Sequence, residues 1–98
     1  VNIDVSFTIR ELRDERERAG MTALLTDVLE TERLSNEVFI TLGEVGESLF
    51  VRAESDYPVV FSRFYLWREE FEQKLTRRVK SLVPHASIDF DWGCPDED

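Results

Sequence analysis

Residues 37–54 read EVFITLGEVGESLFVRAE. Two alternating runs flank a glycine-bearing connection. Val38, Ile40 and Leu42 fall on one side of the first run, and Leu49, Val51 and Ala53 on the same side of the second. A period of two over this length is the signature of half-buried strands. Gly43-Glu44-Val45-Gly46 supplies the positive-φ positions of a hairpin. The stretch therefore predicts an antiparallel pair over 37–42 and 48–54, with Phe39 and Thr41 on the reverse side of one strand and Phe50, Arg52 and Glu54 on that of the other.

Moving outward, the period changes to the helical one on both sides of the hairpin. On the C-terminal side, Ser55-Asp56-Tyr57-Pro58 is a turn. Val60, Phe64, Trp67, Phe71, Leu75, Val79 and Leu82 then recur at threes and fours, which predicts a helix over 60–82 stopped by Pro84. On the N-terminal side, residues 10–34 form a helical region. Its first half is almost wholly charged, whereas its second half carries Met21, Leu24, Leu25, Val28 and Leu29 on one side. Thr8-Ile9-Arg10-Glu11 fits a capping box at its start, and Gly20 either divides the region or bends it.

The two ends of the chain alternate again. Ile3, Val5, Phe7 and Ile9 oppose Asn2, Asp4, Ser6 and Thr8, and Ala86, Ile88, Phe90 and Trp92 oppose Ser87, Asp89 and Asp91. The order is β-α-β-β-α-β. This is the α+β, ferredoxin-like pattern: a four-stranded antiparallel sheet of spatial order 4-1-3-2 with two helices on one face. The whole chain, 1–98, is expected to be a single domain with an acidic tail over 93–98.

Composition bears on partners. With 42% hydrophobic residues, seven Phe, two Trp and two Tyr among 98 residues, the chain can fill one core; a domain this size buries roughly 60–65% of its unfolded surface. Twenty-one acids against 12 bases give a formal net charge of −9. Such a field repels phosphate backbones and anionic membranes and speeds encounter with basic partners. Neither nucleic acid nor a membrane is therefore expected as a partner. No apolar run approaches the roughly 20 residues of a membrane span. The alternating N-terminal segment is not a signal peptide, and the single Cys94 fits a reducing compartment, so a cytoplasmic location is expected.

The open side of the expected sheet carries the candidate site. One edge is acidic, with Asp4, Glu54, Asp89 and Asp91; the other presents Phe39 and Phe50 beside Arg52. Exposed aromatics on such a sheet are also used to stack RNA bases, but the flanking acids oppose phosphate. An apolar centre with an acidic border suits a basic protein surface. Packing of the two Phe under a loop, the tail or a second copy is the competing reading. Asp4, Asp89 and Asp91 form the candidate for a divalent-metal or carboxylate centre, and exposed acids on a solvated face are the plainer account of them. His85 has no nucleophile near it in sequence and reads as a helix-end residue, while Trp67 and Trp92 read as core. No glycine-rich phosphate loop or other cofactor motif occurs.

The segment from Ile9 to Thr22 resembles the opening of a helix-turn-helix repressor, but the strands on either side contradict that fold. In general character, Phe61-Ser62-Arg63-Phe64-Tyr65-Leu66-Trp67 followed by Ile88-Asp89-Phe90-Asp91-Trp92-Gly93 and an acidic end is similar to bacterial polymorphic-toxin immunity proteins. That resemblance implies a small cytosolic inhibitor of one cognate toxin, with Asp89, Asp91, Asp96, Glu97 and Asp98 standing in for phosphate in a nuclease-type cleft. The expectation is thus a non-enzymatic acidic protein that inhibits a basic partner, as an immunity protein or nucleic-acid mimic. The alternatives are a small enzyme or metal binder using the Asp group, or a homodimeric ligand-sensing domain.

Overall fold

In a computed structural model describing residues 1–94, the chain forms strands β1 (Asn2–Ile3), β2 (Ser6–Leu12), helix α1 (Glu15–Thr31), β3 (Val38–Val45), β4 (Ser48–Ser55), β5 (Val59–Val60), helix α2 (Phe64–Leu82) and β6 (Ser87–Phe90). Four strands make an antiparallel sheet ordered β3-β4-β2-β6, and β1 and β5 make a separate two-stranded one. The fold is α+β. Buried residues of both helices share one core with Phe7, Ile9, Val51 and Ala53 of the sheet. No helix among the described residues is long and apolar enough to cross a membrane.

The central hairpin is tighter than its glycines suggest. Val45 pairs with Ser48, so only Gly46 and Glu47 turn, and Gly46 has the positive φ (61°) such a turn requires. Gly43 lies within β3 instead. A Cβ there would overlap the Phe50 ring, which covers the glycine from the neighbouring strand.

The first run of alternating residues is not one strand. Its alternation holds, but its partners change. Asn2 and Ile3 pair with Val60 and Val59, Asp4 bridges Gly93, and Ser6 onward pairs with β4 and β6. At Val5 the backbone N–H donates to Ser55 Oγ at 3.0 Å.

The start of α1 also differs from the expected one. The chain stays extended through Leu12, with a bulge between Ile9 and Leu12 and Glu11 at φ 64°. Leu12 is fully buried, and that burial extends the strand past Thr8-Glu11. The cap is Asp14, whose Oδ1 accepts from the Glu17 N–H at 2.8 Å, while Glu17 Oε1 accepts from the Arg13 N–H at 2.8 Å. This is a capping box displaced by one residue at its return bond. Glu17 Oε1 also lies 2.9 Å from His85 Nε2. The Arg13 backbone bond, followed by the His85 and Arg13 side-chain bonds, outweighs partial burial and holds the Glu17 carboxyl down at about 2.

Gly20 neither splits nor ends α1, which runs on to Thr31. The helix closes with Leu34 N–H donating to Leu29 O (2.8 Å) and Arg33 N–H to Glu30 O (3.1 Å). Arg33 sits at φ 62°. This is a Schellman motif with arginine where glycine is usual, and buried Leu29 and Leu34 provide its apolar contact.

Helix α2 begins four residues later than its periodicity suggests, because Val59–Val60 is drawn into β5. Phe64, Phe71, Leu75 and Val79 are buried, whereas Val60 and Leu82, expected in the core, are exposed. Leu42 is corrected likewise. It points to the helix side of the sheet but is 51% exposed, since outer strand β3 extends beyond the cover of the helices there. The last strand keeps its expected direction, with β6 shortened to Ser87–Phe90 and its bonding continued by Asp91 N–H to Ser6 O (2.8 Å). The core is strongly aromatic. Phe7 lies 5.6 Å from Phe71, Trp67 stacks on Phe71 at 4.6 Å, and Phe90 stacks on Trp92 at 5.9 Å.

Candidate functional site

Pleating turns alternate residues of each strand away from the helices. The register then sorts them into rows. Thr41, Arg52, Thr8 and Asp89 run straight across the sheet. Phe39 and Glu54 stand opposite each other in the next row, followed by Ser6 and Asp91. On the other side, Gly43 opposes Phe50, and Arg10 opposes Ser87. Phe39, Glu54, Asp89 and Asp91 therefore share one open face as expected, with Arg52 at its middle.

The two phenylalanines do not form a pair. Phe39 is 50% exposed, beside Glu54. Phe50 lies on Gly43 from one strand and carries the Arg52 guanidinium 5.0 Å from its ring centroid. Arg52 Nε also donates to Thr8 Oγ1 at 3.0 Å, and this cover leaves Thr8 only 4% exposed. Phe50 and Arg52 are thus committed to each other and to the sheet; Phe39 is the ring offered outward.

Arg10 also belongs to the face. The helical reading of 10–34 hid it, because the bulge keeps it on the sheet. Arg10 Nε donates to Asp89 Oδ2 at 2.7 Å across the β2–β6 pair. The signal that could have found it is Asp14-Glu15-Arg16-Glu17, a capping box beginning after Leu12.

The three aspartates do not make a metal centre. Asp89 is engaged by Arg10, Asp4 lies past the end of β2 against Gly93, and no group of three His, Cys, Asp or Glu among the described residues is placed to hold a cation. Asp96, Glu97 and Asp98 lie outside the described residues.

A concavity of about 250 Å³ lies between the helices, with Val28, Trp67, Phe71 and Leu75 among its lining. Its rim carries pairs of its own: Trp67 Nε1 to Glu32 (2.7 Å), Arg78 to Asp27 (3.3 Å) and Lys74 to Glu70 (2.7 Å). The Lys74 bond and charge lower the Glu70 pKa. Trp92 Nε1 donates to Glu72 at 2.7 Å, so both indoles serve packing, with their N–H groups satisfied.

No protein-family model matches the chain, and no curated protein matches it. Among solved structures, the chain is similar to a de novo designed protein, Foldit4, at 19% identity and a TM-score of 0.58, over 96% of this chain and 98% of that one. At that identity the likeness concerns the fold alone.

Proposed function

We propose that this chain is a non-enzymatic, ferredoxin-like binding domain whose open sheet face docks a basic protein and inhibits it, in the manner of a toxin-immunity protein or nucleic-acid mimic. One observation carries the reading. Both cations of the face have partners on it, Arg10 in a surface ion pair with Asp89 and Arg52 against the Phe50 ring and the Thr8 hydroxyl. On this face half-exposed Phe39 stands beside exposed Glu54, and the same row ends in exposed Asp91 at the β6 edge. An apolar anchor inside an acidic border is what a basic, partly apolar surface recognises, and the net charge of −9 would steer the encounter. The strand order, in which the pair β2-β4 lies inside β6 and β3, supports the ferredoxin-like assignment.

The test is capture from lysate at low salt, eluted by a salt gradient, with wild type and Phe39→Asp side by side. A single basic protein held by wild type, released by salt and lost from Phe39→Asp is the expected result. Its activity should fall on adding the wild-type chain. Recovery of only the bait, at dimer mass, would overturn the reading in favour of self-association.

A further inference from the structure

The two edges of the sheet are guarded differently. On the β6 side the strand is four residues long and carries the Arg10–Asp89 ion pair. On the other side, β3 runs eight residues in unbroken register, with no bulge, proline, lysine or arginine. Those are the features that normally block edge pairing. Apolar side chains are exposed on both of its faces: Phe39 at 50% and Val45 at 66% on the open side, Leu42 at 51% on the helix side.

The direction of the β3 amides follows from the ladder. In an antiparallel pair, opposed residues alternate between bonded and non-bonded. Ser55 N–H donates to Val5 O and Val38 N–H to Leu34 O, so the opposed pair Val38 and Ser55 is a non-bonded one. Counting along the strand, Phe39, Thr41, Gly43 and Val45 bond to β4. Ile40, Leu42 and Glu44 turn their N–H and C=O groups to the free edge.

The charge carried by β3 and its flanks has one sign; the nearby cation Arg18 of α1 donates to Gly43 O at 3.0 Å and is paired with Glu15. Residues 34–51 contain Glu37, Glu44 and Glu47 and no lysine or arginine, so the apolar centre of β3 has carboxylates toward both ends. We infer that the free edge of β3 accepts an extended segment of the protein partner as a fifth strand, with an apolar centre and basic residues toward its ends. The inference rests on the proposed reading of a basic partner and adds how that partner is held: by main-chain bonds to Ile40, Leu42 and Glu44, with side chains against Phe39, Leu42 and Val45.

The probe is a short synthetic peptide with a Val-Thr-Val-Ile centre and Lys-Arg at each end, added to the ¹⁵N-labelled chain. Hydrogen exchange should slow at the Ile40, Leu42 and Glu44 amides. Leu42→Pro removes an amide that β4 does not use, so the fold should survive while peptide affinity falls about tenfold. N-methylation of alternate peptide residues should have the same effect on the unaltered protein. Binding without protection of those amides, or unaffected by N-methylation, would overturn strand addition yet leave docking on the open face standing. A Glu-ended peptide of the same centre that binds equally well would sink the basic-partner reading and leave the edge site intact. Amides already protected in the free chain, with dimer mass, would assign the edge to a second copy and overturn the inference.

Discussion

Two residues show how local chemistry is set by distant partners. Glu17 carries a cap bond, a bond from Arg13 and a contact with His85. Its folded pKa of about 2 lies below the ordinary 4.5. The stability it contributes is therefore complete above pH 4.5 and is lost as pH falls toward 2. Glu17→Gln should melt lower than wild type at pH 7, and the gap should shrink through that acid window when melting temperatures are compared. Gly43 is the second case. A Gly43→Ala methyl would push into the Phe50 ring, which should cost about 1–3 kcal/mol in urea unfolding. In a Phe50→Ala background the cost should nearly vanish, and equal costs in both backgrounds would refute the covering role.

At the scale of elements, α1 contains two glycine questions with opposite answers. Gly20 is an exposed helical position with open space around its missing side chain, and Arg33 occupies a left-handed position that glycine adopts without strain. Gly20→Ala and Arg33→Gly should each raise stability by about 0.5–1 kcal/mol, additively, in denaturant titrations. Asp14→Ala should lower it by about 1 kcal/mol through loss of the Glu17 N–H bond. Much of this helix was legible in its sequence: Met21, Leu24, Leu25, Val28 and Leu29 are the residues it buries, as their spacing requires. Its first turn was not. Arg10 to Arg13 suits a helix by composition, and the burial of Leu12 against the sheet keeps Arg10 to Leu12 in the strand instead.

For the whole molecule, the formal charge of −9 acts against compaction as well as for partner choice. Raising sodium chloride from low to physiological strength, where the screening length is about 8 Å, should raise the melting temperature. The same salt should weaken capture of a basic partner. A fall in melting temperature would mean that the internal ion pairs outweigh the net repulsion. The open face was partly legible. Parity placed Phe39, Glu54, Asp89 and Asp91 on one face, and it placed Arg52 beside the two phenylalanines. It could not show that Phe50 covers a glycine or that Arg52 lies on that ring, because both depend on the strand opposite.

The sequence by itself determined the elements whose patterns are local: the central hairpin, the buried stripe of α1, the middle of that of α2 and the alternation at each end of the chain. It also determined the acidic character, which is a sum over residues. Only the tertiary structure decided that the first alternating run divides between two sheets, that Val59–Val60 joins a strand rather than α2, and that Arg10 closes on Asp89. Periodicity reports which side of an element is apolar. It carries no information on what that side packs against, since partner choice is settled by contacts between residues far apart in the chain.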